Sequence, residues 1–268
     1  MLGWARAYCP AGITSFFEIC DRNVQGKMLS DPAQIGARGG GFSPDKGVST
    51  EVTVSKTQIK QVQVFINGEC CPEAETTKAV IDILTADANE SYAIKVAHDV
   101  EVPVGAGFGS SAAGALGTAL ALGKVLGLNL TFNQLARVAH MAEVKSQTGL
   151  GTVGPILFGG CGLTIEPGAP GIAVLDRIPV SPDHRLVMGT FRPYPTKEML
   201  STQDNRERIN EWGRKTLKKI LACPSLENFM KCSKEFAVQT GFVTDRVLEL
   251  IEATKKAGAI GATQNMLG

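Results

Sequence analysis

The stretch Pro103-Val-Gly-Ala-Gly-Phe-Gly-Ser-Ser-Ala-Ala113 decides how the rest of the chain is read. Three glycines at alternate positions, Gly105, Gly107 and Gly109, let the main chain come close to a ligand. Their N–H groups can converge on phosphate oxygens. A small-residue helix is predicted next, from about Ala112 to Leu126. A helix N-terminus favours an anion through its dipole and its unpaired N–H groups. Ser110 and Ser111 stand where a hydroxyl can meet a phosphate or Mg²⁺. There is no Gly-Lys-[Ser/Thr], so this is not a Walker A loop. Gly107, Gly109 and Ala112 match GxGxxA only loosely. On its physics alone, a tight strand-to-helix turn without a ligand stays open.

Upstream of the loop the chain reads mostly as strands. Val48 to Val54 is rich in Val and Thr, and Val62, Val64 and Ile66 alternate with other residues before Asn67-Gly68. That dipeptide predicts a two-residue hairpin turn, because both positions need positive φ. Glu73 to Ala88 switches to a helical period, and Tyr92 to Val102 alternates again. Downstream, Thr131 and Gln134 form a Thr-x-x-Gln capping box that opens a helix with the apolar stripe Leu135, Val138, Ala139 and Ala142. Glu143 lies at the edge of that stripe. A strand is predicted over His184 to Phe191, then a Pro-rich loop from Arg192 to Pro195, then three helices marked by Ile209, Leu226 and Val247. Strands first and helices later make an α+β chain, with a boundary between residues 1–178 and 179–268.

The 268 residues are 44% hydrophobic and 20% charged, which is globular composition and argues against disorder. A net charge of +1 without a basic or acidic tail gives no sign of a nucleic-acid surface. The N-terminus lacks signal-peptide order, and no apolar run approaches a membrane span, so a cytoplasmic protein is expected. Seven cysteines without a CxxC pair read as free thiols. Three histidines that do not fall at ligand spacing from the cysteines argue against a structural zinc site.

The full string around the loop resembles the second motif of the GHMP kinases, Pro-x-Gly-x-Gly-Leu-Gly-Ser-Ser-Ala, with Phe108 in the place of leucine. Other segments are similar and fall in order: Cys9-Pro-Ala-Gly-Ile-Thr-Ser-Phe-Phe17, Thr148-Gly-Leu-Gly-Thr-Val153 followed by Gly159-Gly160, and Ala257-Gly-Ala-Ile-Gly-Ala262. Nearly the whole chain is covered. Within the family, Gly36 to Gly47, Glu143 to Gly151 and Pro167 to Gly171 look like the archaeal pantoate kinase subgroup. The resemblance implies a ribosomal protein S5 domain 2-like N-terminal domain and a ferredoxin-like C-terminal one. It implies ATP and Mg²⁺ as cofactors and a small hydroxy acid as acceptor; pantoate is the first choice. By the same resemblance Pro103, Gly105, Ala106, Gly107, Phe108, Gly109, Ser110, Ser111 and Ala112 hold the nucleotide phosphates. Ser111 and Glu143 are the expected metal ligands, and Thr14, Ser15 and Arg38 face the acceptor. A homodimer is left open. The family continues past its third motif into a final strand, so the sequence ending at Gly268 reads as shortened or incomplete.

Three departures from the family pattern matter. Thr152 stands where many members carry the aspartate that takes the acceptor proton, and a threonine is no base at neutral pH. Transfer then relies on positioning and charge stabilisation, or on a carboxylate from elsewhere, Asp21 or Asp45. Ile13 stands about where some members have lysine, and Thr164 where the pantoate subgroup often has arginine. Arg38 is the expected carboxylate-binding cation, with Lys46 as the alternative. Homoserine, shikimate or mevalonate are other acceptors, and a nucleotide-binding sensor without transferase activity is the reading of a different class.

Overall fold

In the computed structural model, residues 2–191 and 202–265 are described. The β-branched alternation around Val52 forms a long strand that seeds the first sheet. That sheet has the order β1 (Gly3–Pro10), β4 (Gly47–Thr57), β7 (Ser91–Val100), β5 (Gln61–Ile66) and β6 (Glu69–Cys70). β5 runs parallel to β7, and the remaining pairs are antiparallel. The register sets Val52 and Val64 on either side of Val96, with Ile81 and Leu122 in the same core. Asn67 and Gly68 adopt φ of 50° and 86° at the turn between β5 and β6, as the dipeptide predicts.

Helices α1 (Glu75–Leu84), α2 (Ser110–Val125) and α3 (Phe132–Ser146) contribute to the cores beneath this sheet. The alanines and glycines of α2 are buried almost throughout, so small side chains bring its backbone against its neighbours. His98 lies below α2. Its ring nitrogens meet Thr50 Oγ1 at 2.9 Å and Thr77 Oγ1 at 3.0 Å, and burial lowers its pKa to about 4. The capping box at the start of α3 is formed in both directions, at 2.7 and 3.3 Å.

A second, antiparallel sheet has the order β2 (Ile13–Cys20), β3 (Gly36–Ser43), β8 (Gly160–Glu166) and β9 (Val174–Ile178). The short helix α4 (Val153–Ile156) precedes β8. Helices α5 (Gln203–Ala222) and α6 (Leu226–Thr240) cover this sheet, and α7 (Asp245–Lys256) follows. Phe16 and Phe17 of β2 pack with Phe229 and Phe236 of α6 and with Phe242, ring centroids 5.8–6.4 Å apart. Gly213 lets α5 rest on the Phe17 carbonyl, where a Cβ would collide. This core draws strands from before Ile178 and helices from after it. Among the described residues, everything regular after Ile178 is helical.

The strand predicted over His184 to Phe191 is not formed. These residues are exposed and belong to no strand of either sheet among the described residues, and Arg185 to Phe191 instead line a surface cavity. Apolar alternation alone does not make a strand where no neighbour supplies a ladder. The predicted Pro-rich loop, Arg192 to Pro195, lies outside the described residues.

Candidate active site

The glycine loop leaves β7 and opens α2. Gly105, Gly107 and Gly109 have φ of 74°, 78° and 63°, a left-handed conformation three times over. Gly105 is exposed, with open space where its side chain would be, so a ligand can reach the backbone. Pro103 is also exposed, while Ala106 and Phe108 are buried and anchor the loop against Ala11 and Val102. Ser110 and Ser111 form the first turn of α2, and Ala112 is fully buried behind them. The Phe108 carbonyl accepts from Gly12 N at 3.0 Å, tying the loop to the N-terminal segment.

Three distant segments meet at the end of this loop. A Cβ on Gly109 would come within 2.7 Å of the Gly12 carbonyl and 2.9 Å of Thr152 Cγ2. A Cβ on Gly12 would lie 2.6 Å from the same Thr152 methyl. On the other side of Gly12 and Thr152 is a cavity of about 770 Å³. Thr14, Arg38, Gln147, Thr148, Gly149 and Thr164 also line it. The phosphate-loop candidate therefore backs directly onto a chamber of substrate size.

Glu143 sits in the last turn of its helix with 2% exposure, and its Oε2 has no hydrogen-bond partner among the described residues. Burial pushes its carboxyl up to about 8. Gly149 is small at the right place, since a Cβ there would lie 2.8 Å from Glu143 Oε1. Nearby, Thr148 N donates to the Glu143 carbonyl at 3.0 Å. The Thr148 hydroxyl meets Thr76 at 3.0 Å, and Ser111 Oγ donates to Thr76 at 3.3 Å. Ser111 and the turn after Glu143 are thus linked through Thr76, a residue to which no motif pointed.

The expected acceptor residues separate. Thr14 lines the 770 Å³ cavity, while Ser15 is 2% exposed and lines the second cavity, beside Phe108. Successive side chains on a strand point to opposite faces, so neighbours in a motif need not share a site. Arg38 is on the cavity wall, but its Nη1 is 3.2 Å from Glu18 and its Nη2 2.9 Å from Glu166. Lys46 is exposed and pairs with Glu101 at 2.8 Å, away from the cavity lining. Of the two alternative carboxylates, Asp21 lines the cavity and Asp45 does not. Arg206, on α5, is a cavity residue that the sequence did not signal.

A left-handed glycine loop opening a helix, set against such a chamber, defines an ATP-dependent phosphotransferase that works without a Walker lysine. Residues 75–160 match the family described as GHMP kinases N terminal domain. The pantoate kinase of Methanocaldococcus jannaschii is 32% identical over 261 residues, 97% of this chain and 89% of that one. The pantoate kinase of Thermococcus kodakarensis is 34% identical over 266 residues, 98% and 85% of the two chains. A solved structure, described as a phosphotransferase related to the CoA biosynthesis pathway, superposes with a TM-score of 0.85 at 32% identity. That match covers 99% of this chain and 85% of that one. The chain belongs to the GHMP kinases. Members of this family use ATP as a substrate and generally Mg²⁺.

Proposed function

We propose that the protein transfers the γ-phosphoryl group of ATP to a hydroxyl of a small hydroxy acid, with (R)-pantoate as the acceptor and 4-phosphopantoate as the product. The observation that carries this reading is the contact of Gly109 with Gly12 and Thr152, which sets the phosphate loop against the acceptor chamber. The names of the two archaeal relatives support the choice of acceptor.

In this proposal the N–H groups of residues 105–111 and the N-terminus of α2 hold the β- and γ-phosphates. Ser111 and Glu143 would hold Mg²⁺. The donor set fits: a buried carboxylate with an unpartnered oxygen calls for a cation, and Mg²⁺ takes one or two carboxylates plus phosphate oxygens. Bound there, the ion would neutralise charge on the phosphates. Thr152 packs between Gly12 and Gly109 and closes the chamber rather than accepting a proton. Thr14 lies on the acceptor side, Ser15 on the side of the second cavity. Phosphoryl transfer through a loose transition state depends mostly on positioning and charge stabilisation, so no strong base is required. A cytoplasmic location belongs to the same proposal; no helix among the described residues is long and apolar enough to cross a membrane.

The test is ADP release with Mg-ATP and (R)-pantoate, run beside homoserine, shikimate and mevalonate. Release with pantoate alone is expected. Release with another acceptor only would keep the kinase and replace the substrate. ATP binding without release for any acceptor would favour a nucleotide sensor.

A further inference from the structure

The charged residues lining the cavity beside the phosphate loop are Asp21, Arg38 and Arg206. The two arginines stand in opposite electrostatic situations. Arg38 spends both terminal nitrogens on carboxylates, Glu18 and Glu166. Glu18 also accepts from Arg214 Nη1 at 2.9 Å. Two guanidinium groups and two carboxylates thus form a closed, neutral cluster.

Arg206 differs. Its Nη2 donates to Asp21 Oδ2 at 2.5 Å, and among the described residues its guanidinium has that one partner. Asp21 is itself shared, with Arg22 Nε 3.9 Å from its other oxygen. Two cations on one carboxylate leave an excess positive charge at the cavity wall. The Arg206 side chain is only 21% exposed, so this charge is partly shielded from water and salt. A guanidinium carries five N–H donors in a planar fork. With one terminal nitrogen on Asp21, an edge remains for a second, bidentate acceptor.

We propose that Arg206 is the receptor for the carboxylate of an acid acceptor, while Asp21 occupies one terminal nitrogen of the guanidinium and competes for its charge. This rests on the reading of the protein as a hydroxy-acid kinase. It assigns acid specificity to a helix of the second layer, while the phosphate loop belongs to the first. Thr164, on the same cavity wall, has no charge to offer, and Arg38 is already neutralised.

The test is calorimetric binding of (R)-pantoate and of its uncharged carboxamide to the intact protein, wild type, Arg206→Gln and Asp21→Asn. The wild type is expected to prefer the acid by about 10-fold to 100-fold, the range of a charge-assisted pair. Arg206→Gln is expected to lose that preference while its ATP affinity stays within about twofold, since the loop is untouched. Asp21→Asn is expected to tighten acid binding, because it leaves Arg206 without a competing carboxylate. A purely structural ion pair would make both variants weaken binding alike, and that result would overturn the proposal. So would an Arg206→Gln protein that still prefers the acid, or a wild type that binds acid and amide equally or neither. ADP release, measured in parallel, separates the two levels. Acid binding dependent on Arg206 without turnover would sink the kinase reading alone, and acid-dependent turnover unaffected by Arg206→Gln would sink this inference alone.

Discussion

Replacing Glu143 by glutamine is expected to stabilise the ligand-free protein at alkaline pH and to abolish turnover. The carboxyl is buried, one oxygen has no partner among the described residues, and its pKa rises from the ordinary 4.5 to about 8. The folded-state value lies above the unfolded one. Between about 4.5 and 8 the folded protein therefore keeps a proton that the unfolded chain releases, and stability falls as pH rises through that window. At about 1.4 kcal/mol per unit, the full penalty above that window is roughly 5 kcal/mol. Glutamine removes the charge but leaves a buried amide short of partners, which costs about 1–3 kcal/mol. The net gain is then about 2–4 kcal/mol at high pH, or roughly 5–15 °C in Tm for a chain of this size. At acidic pH the carboxyl is neutral in both states and the advantage disappears. Thermal unfolding of both proteins across pH 5–9, with and without Mg-ATP, reads this directly. Mg-ATP should raise the Tm of the wild type at alkaline pH far more than that of the variant. A difference between the two proteins that does not change with pH would refute the buried, unpaired carboxylate. Equal stabilisation by Mg-ATP would refute its role toward the metal.

Gly109→Ala forces a side chain into φ of 63° and against the Gly12 carbonyl, at about 1–2 kcal/mol for the conformation alone. Titration of the variant should show weakened ATP binding, and unaltered affinity would count against the phosphate loop. Thr152→Ala should lower kcat by less than about tenfold and leave the shape of the pH–rate profile unchanged, because no proton transfer is lost. Loss of a limb of that profile would give the threonine a role it is denied here. His98 has a folded value of about 4, below its ordinary 6.5, so its contribution is complete above that window and is lost as pH falls through it. The loss amounts to about 3 kcal/mol, and unfolding of His98→Gln should show a flatter acid limb.

Local chemistry was legible from sequence where one or two residues settle the backbone. Asn67-Gly68 demanded a tight turn and the Thr131–Gln134 pair a helix start, and both are formed. The glycine loop was legible because left-handed φ at alternate positions needs glycine. Long-range pairing was not. β3 contains Gly39, Gly40 and Gly41, poor strand formers by propensity, yet a close fit between β2 and β8 keeps them in the sheet. His184 to Phe191 alternates but joins neither sheet among the described residues and stays irregular. Within the site, Thr14 and Ser15 looked like one feature, but β2 sends them to different cavities. Arg206 carries no motif, and only the packing of α5 on β2 brings it to the wall that Asp21 shares.

The most direct test of the account is a single-turnover reaction with ATP labelled in its γ-phosphoryl group, enzyme in excess, and (R)-pantoate as acceptor. The label is predicted to appear as a phosphate ester on the pantoate hydroxyl, and the Glu143→Gln protein should leave it in ATP. Label found only in inorganic phosphate, or ATP bound by the wild type and left intact with every hydroxy acid offered, would contradict it.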